Sequence, residues 1–299
     1  MKKIGLIIIL LTVMVLLQAD VDGSKGFQML RILNNPATAG QGGNGAINSS
    51  SGFSFLDNAA APLMQNGKAV SFCQNLWLFD TKMSNIGYRN SMGKSSFGYS
   101  MRYLDYGEIE RYTNNGENIG SYQPMDMAIT FNYGYRIAAS HYLGVNITGL
   151  YEKIDTSSST GVSGDVGYIY LTPFKDIRVM AGVKNFGKTS KMDQEDIELP
   201  LTIDLILSKD FSIQANRLTT EFKLTKDIDN DQLKGSLGIE ANLYESLFLR
   251  TGYKFGYDLE SISAGFGVKL SRFTIDYAYV PVSEELEDVH LLGLSCHFR

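Results

Sequence analysis

The chain has 299 residues, including 30 Gly, 17 Tyr, 16 Phe and only 6 Pro, and a formal net charge of −5. An acidic chain is a poor partner for nucleic acid, and the lack of an apolar run of about 18 residues beyond the N-terminus argues against a helical membrane protein. The mean hydropathy of −0.09 fits strands whose apolar and polar faces cancel, and abundant Gly and aromatic residues suit barrel strands with interfacial girdles.

In chain order, residues 1–19 read as a secretory signal. Lys2 and Lys3 precede the apolar run from Ile4 to Leu17, and Ala19 stands at the small-residue cleavage position. Leu17 is large for its position, so an uncleaved anchor is the alternative; cleavage would take the formal charge from −5 to −7 by removing the two lysines. Residues 20–66 are rich in Ala, Gly, Asn and Ser and show little alternation apart from a short run at Phe53 to Leu56. We expect a plug folded into a lumen, the alternative being a flexible periplasmic tail. Phe27, Leu30, Ile32, Phe53 and Phe55 are its candidate pocket walls, or else its anchors.

Residues 67–299 form the third region, where polarity alternates with a period of two, the signature of a strand. Ile262, Ala264, Phe266, Val268 and Leu270 interleave with Ser261, Ser263, Gly265, Gly267 and Lys269. Strands are expected near 68–78, 81–90, 95–105, 125–137, 141–154, 163–171, 175–185, 199–208, 211–225, 234–243, 247–256, 260–270, 272–281 and 289–299. The connections sort by length: 106–124, 155–162, 186–198, 226–233 and 282–288 are long, whereas Ser91 to Lys94, Ala138 to Ser140, Thr172 to Phe174, Lys209 with Asp210, Tyr244 to Ser246, and Ser271 are tight. Long loops on one rim and short turns on the other are the asymmetry of bacterial outer-membrane barrels. The first loop, at about two residues by these boundaries, is an exception, and a phase change near Asn216 suggests a bulge. The fold class is therefore an all-β, fourteen-stranded antiparallel transmembrane barrel with a short N-terminal plug, in the outer membrane of a Gram-negative-type bacterium.

Several patterns that could carry chemistry read as structural. Gly40-Gln-Gly42-Gly43-Asn44-Gly45 fits G-x-G-x-x-G but lacks the βαβ context of a dinucleotide site. Gly93-Lys94-Ser95 reads as a hairpin turn. Asp227, Asp229 and Asp231 copy the start of an EF-hand loop, yet Gln232 stands where that loop needs Gly and Gly238 where it needs Glu. Cys73 and Cys296 lie on the first and last strands with opposite phases, so free thiols are expected. No catalytic residues, metal or cofactor are expected, and the chain reads as a non-enzyme. A tight turn centred on Glu245 would set the lumen-facing Glu240 opposite Arg250 as a charged pair; the alternative is that each meets water or the plug. Other inward charges, among them Arg102, Asp126, Arg136, Glu152, Arg178, Asp204, Lys254 and Asp276, are expected to form a polar bed for the plug. Phe298, a lipid-facing aromatic at the chain's end, is the expected assembly signal, which implies outer-membrane lipid and the barrel assembly machinery as partners.

The segments Phe27-Gln-Met-Leu30-Arg-Ile32, Ala39-Gly40-Gln-Gly42-Gly43, Leu104-Asp105-Tyr106-Gly107-Glu108-Ile109, Gly182-Val183-Lys184-Asn185-Phe186-Gly187, Leu249-Arg250-Thr251-Gly252-Tyr253 and Ile275 to Pro281, in that order, resemble the PorV/PorQ family, relatives of the FadL-type fatty-acid channels. The family's Asn-Pro-Ala-Gly-Leu element after the plug appears here as Asn58-Ala59-Ala60-Ala61-Pro62-Leu63. The resemblance implies a fourteen-stranded barrel with a plug, and a role in type IX protein secretion with secretion components and cargo proteins as partners. FadL-like uptake of hydrophobic small molecules is the alternative, and a structural or adhesive surface barrel a third.

Overall fold

The computed structural model describes residues 24–228, 231–282 and 286–298. The signal segment, Asp229 and Arg299 lie outside the described residues. Fourteen strands close into one barrel: β1 Gly67–Leu76, β2 Lys82–Met92, β3 Ser95–Asp105, β4 Met125–Ala138, β5 His141–Ile154, β6 Ser157–Leu171, β7 Ile177–Thr189, β8 Thr202–Ile213, β9 Asn216–Asp227, β10 Gln232–Leu243, β11 Leu247–Phe255, β12 Ile262–Leu270, β13 Phe273–Val280 and β14 Val289–Phe298. Each strand pairs antiparallel with its sequence neighbours, and β14 closes on β1 with Phe298 opposite Lys68 and His290 opposite Leu76. Closure leaves no edge strand, so the ladder satisfies the backbone polar groups that lipid could not.

The period-two pattern decides which face meets what. On β4, Phe131, Tyr133 and Tyr135 point outward, and Phe131 is 63% exposed, while Thr130 and Asn132 between them are buried in the lumen. The neighbouring β5 repeats this with Val145 and Ile147 outside and Asn146 and Thr148 inside. A closed cylinder with an apolar outside and a hydroxyl- and amide-lined inside is suited to lipid, and it crosses the bacterial outer membrane by its strands.

The short connections, 93–94, 139–140, 172–176, 214–215, 244–246 and 271–272, share one rim, and 77–81, 106–124, 190–201, 228–231, 256–261 and 281–288 share the other. The first loop is thus longer than the sequence suggested. The expected loop 155–162 is a turn at Asp155 and Thr156, because the Ser-rich start of β6 stays paired with β5. The eighth strand runs on through Lys209 and Asp210 to Ile213, and the turn falls at Gln214 and Ala215. The phase change read as a bulge near Asn216 is that turn itself. True register shifts lie between Arg136 and Ala138 in the β4–β5 ladder and between Val183 and Phe186 in the β6–β7 ladder.

Residues 26–66 lie inside the barrel as short helical turns. The one-turn helix Pro36–Ala39 starts on Asn35, whose side chain accepts the Ala37 N–H at 3.3 Å, with Pro36 supplying a preset φ at the first position. Phe53 to Leu56, which reads as alternating, is a 3-10 turn over Ser54–Leu56. The wall holds the segment by its backbone: Arg89 donates to the Ser50 and Ser51 carbonyls at 3.1 Å each, Asn146 to the Phe55 carbonyl at 2.9 Å, and Asn132 to the Ala59 carbonyl at 2.9 Å. Plug N–H groups reciprocate, with Gly52 donating to Ser71 at 2.6 Å and Gly45 to Glu221 at 2.6 Å. Contact is close enough to require glycine: a Cβ on Gly144 of β5 would lie 2.0 Å from the Ala59 oxygen. In the G-x-G-x-x-G stretch, Gly42, Gly43 and Gly45 adopt φ of 65°, 83° and 88°, so the motif serves a left-handed plug backbone. Gly93 and Lys94 form the β2–β3 hairpin turn, and both cysteines are free thiols.

Candidate functional site

Between the plug and the long-loop rim the lumen opens into two cavities that share a wall. The outer one, about 620 Å³, is walled by Trp77 and Phe79 from the β1–β2 loop, Tyr106 and Ile109 from the β3–β4 connection, Leu259 from the β11–β12 loop, and Ile32 and Leu33 from the plug. Its volume falls in the range of sites for drug-sized ligands, about 300–1,000 Å³, and its walls have their apolar character. The inner cavity, about 170 Å³, lies below it and is bordered by Leu30, Asp57, Arg102, Lys184, Asp204, Lys223 and Asp227. Arg31, Ile32, Leu33, Lys234, Lys254 and Tyr257 line both.

The charges around the inner cavity are largely matched. Arg31 Nη1 meets Asp227 Oδ2 at 2.7 Å, Lys223 and Lys184 approach Asp204 Oδ2 at 3.3 and 3.5 Å, and Lys254 pairs with Glu260. Asp227 of the EF-hand-like stretch is thereby engaged by arginine, and also lies 3.8 Å from Lys234. No group of three or more metal-ligating side chains gathers among the described residues. Tyr257 stands at the junction of the cavities with Lys234 and Lys254 Nζ 5.2 and 5.0 Å from its ring centroid. Burial, reinforced by the Asp204 charge, pushes its hydroxyl up to about 12, so it stays neutral at physiological pH.

Beside the inner cavity the barrel wall is irregular. The β7–β8 ladder ends at Lys184 opposite Thr202, both cavity residues. Asn185, at φ 62°, donates its N–H to Asp165 at 2.8 Å and its side-chain amide to the Pro200 carbonyl at 3.0 Å. Residues 190–201 then turn inward, where Ile197–Glu198 pairs in parallel with Ser24–Lys25 and Leu199 is buried beside Phe27 and Met29.

Of the five candidate walls, Ile32 lines both cavities and Leu30 the inner one, whereas Phe27, Phe53 and Phe55 line neither. Phe27 packs with Met29, Met83, Leu104 and Leu150. Phe53 and Phe55 belong to a cluster with Ala39, Cys73, Ala278 and Leu291, and press on Gly87 and Gly98 of the wall. Wall glycines leave room for the whole rings of Phe53 and Phe55, whereas Phe27 is held among larger apolar side chains. Glu240 stands directly opposite Arg250 and accepts from its Nε at 2.8 Å, and Arg250 Nη1 donates to Asp276 at 2.6 Å. This buried triad lies outside both cavities. Asp276 thus helps to neutralise Arg250, and Arg136 bonds the Ala138 and Ala139 carbonyls of its own turn. Phe298 ends β14, 44% exposed on the outer face. The sequence reading missed Trp77, which it placed in a strand, and Phe79, Tyr257 and Leu259; the one signal at Tyr257 and Leu259 was a large apolar or aromatic side chain in an otherwise polar connection.

No protein-family model matches the sequence, and no curated protein is a significant sequence match. Solved structures do match. The Ralstonia pickettii toluene transporter TbuX aligns with a TM-score of 0.62 at 12% identity, over 89% of this chain and 98% of that one. The Pseudomonas putida toluene transporter TodX aligns with a TM-score of 0.58 at 12% identity, over 93% and 98%. A Pseudomonas aeruginosa FadL homologue aligns with a TM-score of 0.58 at 10% identity, over 93% and 100%. At these identities the likeness is one of fold: the chain has the architecture of FadL-like outer-membrane barrels.

Proposed function

We propose that this chain admits hydrophobic small molecules across the outer membrane. The observation that carries the reading is the apolar cavity of about 620 Å³ at the long-loop rim, the rim that faces outward in such barrels. A hydrophobic solute leaving water gains about 25 cal/mol per Å² of apolar surface buried there. Below it the plug is packed on the wall, whereas the β7–β8 ladder stops beside the inner cavity. The exit in this reading is sideways at Asn185, where that ladder stops, and requires the Asn185 bonds to Asp165 and Pro200 to yield to a solute that has passed Ile32 and Tyr257. The solved barrels of like fold include transporters of toluene, and monoaromatic hydrocarbons are accordingly the first solutes to try. Secretion escort of the PorV/PorQ type rests on the sequence resemblance alone.

The test is one deletion strain complemented with wild-type protein or with Ile32→Asp, which sets a charge on the wall common to both cavities. Uptake of labelled toluene is expected to fall at least about tenfold in the deletion and in Ile32→Asp, the cost of bringing an apolar solute past an unpaired carboxylate being above about 1.4 kcal/mol, with the secreted proteins unchanged. Unchanged uptake with a lost set of secreted proteins would transfer the function to secretion.

A further inference from the structure

Asp126 on β4 and Glu152 on β5 are direct cross-strand partners, both buried and both facing the lumen. Like charges in that relation repel, and burial strengthens the repulsion. Among the described residues no lysine or arginine lies within ion-pair distance of either carboxylate. Their partners come instead from the two elements that bring the plug and the loops to the outer cavity. Tyr106 donates its hydroxyl to Asp126 Oδ2 at 2.9 Å, and the Phe27 N–H donates to Glu152 Oε2 at 2.5 Å. Tyr106 itself lines the outer cavity and roots the exposed hairpin Ile109–Tyr112 with Asn118–Tyr122. Phe27 begins the strap Gln28 to Leu33, four of whose residues line the same cavity. It does so from a left-handed backbone at φ 52°, a conformation a bulky residue keeps only when its neighbours impose it.

A second observation points to a proton at the pair. Asp126 Oδ1 is buried and has no hydrogen-bond partner, so a carboxylic hydrogen can sit on it without displacing the Tyr106 bond at Oδ2. The surrounding groups supply no alternative counter-charge. Arg102, next along the lumen face of β3, stands opposite Ala128 and feels the Asp165 charge. Leu104 opposes Asp126, and Ser159 of β6 opposes Glu152 and spends its hydroxyl on the Ser190 carbonyl. From the inward segment 190–201 the approach is made by the Ile197 side chain and the Glu198 carbonyl at Gly26. Tyr106, in the connection beyond β3, is held above the ordinary tyrosine range by burial and then by Asp126, so it remains a donor.

We propose that Asp126 and Glu152 share one proton and form a pH-sensitive latch that fixes the Phe27 strap and the Tyr106 hairpin root over the outer cavity. Loss of that proton to water leaves two buried carboxylates side by side, and the pair relaxes by admitting water past Phe27, which frees the strap. The latch is thus closed at low pH and loosened as pH rises. It does not rest on which solute, if any, the barrel carries.

The test is amide hydrogen exchange of the full chain in detergent, expressed at each pH as protection relative to the chemical rate at that pH. Protection of residues 27–33 in the wild type is expected to fall at least about tenfold between about pH 5.5 and about pH 9, one pKa unit of coupling being a factor of ten, while residues 34–64 stay unchanged. Asp126→Asn retains an acceptor for Tyr106 and Glu152→Gln one for Phe27, and each removes one ionisable partner. Either variant is expected to keep the strap protected across the whole range, so if one does not assemble the other still decides. A pH-independent strap in the wild type, or the same fall in both variants, would overturn the latch.

Discussion

One short segment of chain fills both halves of the lumen, and it fills them by different means. In the turn-side half, plug backbone lies on wall glycines and its carbonyls are taken by Arg89, Asn132 and Asn146. In the loop-side half, Ile32 and Leu33 meet Trp77, Tyr106 and Leu259 across open space. The difference teaches what each contact can do. Hydrogen bonds to backbone are directional and costly to leave unmade, so they fix one geometry; apolar walls have no such demand and tolerate an occupant. A packed floor beneath a soft, apolar roof is what a path that enters from outside and turns aside requires.

That contrast can be broken most severely at Arg250, the buried cation between Glu240 and Asp276. Arg250→Ala would leave two lumen carboxylates without their partner, and a loss of about 4 kcal/mol is expected from denaturant unfolding in detergent; wild-type stability would mean the turn-side half is not held by this triad. Next comes Gly144→Val, whose side chain would strike the Ala59 carbonyl. About 3 kcal/mol should be lost by overpacking, with proteolysis of the displaced plug as the second readout. Gly149→Val on the same strand meets nothing within 4 Å and should change stability by less than about 0.5 kcal/mol. Equal effects at the two glycines would erase the distinction between inner and outer faces. Smallest is Ile109→Ala at the outer cavity. Stability is expected to move by less than about 0.5 kcal/mol while toluene uptake falls several-fold; a stability loss comparable to that of Gly144→Val would show the roof to be as tightly built as the floor.

Much of the barrel was legible because its physics is local. Alternation on each strand gave all fourteen strands, and the tight turn at Tyr244 to Ser246 sufficed to set Glu240 against Arg250. The errors fell where local signals compete. Lys209 and Asp210 look like a turn, but Asp210 is a strand residue whose carboxylate accepts from Arg178 at 2.5 Å and from Thr219 at 2.8 Å. Asp126 and Glu152 were both legible as inward-facing. The expected turn from Ala138 to Ser140 already implies their opposition, since it sets position 137 against 141 and so 126 against 152, and the ladder takes that register beyond the shift between Arg136 and Ala138. The candidate site was the least legible part. Trp77, Tyr257 and Leu259 come from two loops far apart in sequence, and only closure of β14 on β1 brings those loops to one rim. Phe53 and Phe55 carried both readings in the sequence because an aromatic that anchors and one that lines a pocket have the same composition; the glycines facing them on other strands make the difference.

On the proposed function, a hydrophobic molecule sits in the loop-side half of the lumen. A crystal structure of the protein with a brominated monoaromatic hydrocarbon, with bromine located by anomalous scattering, decides whether it does. A peak between Trp77, Ile109 and Leu259 is the expected result, and bromine found only on the lipid-facing surface, or nowhere at saturating concentration, would contradict it.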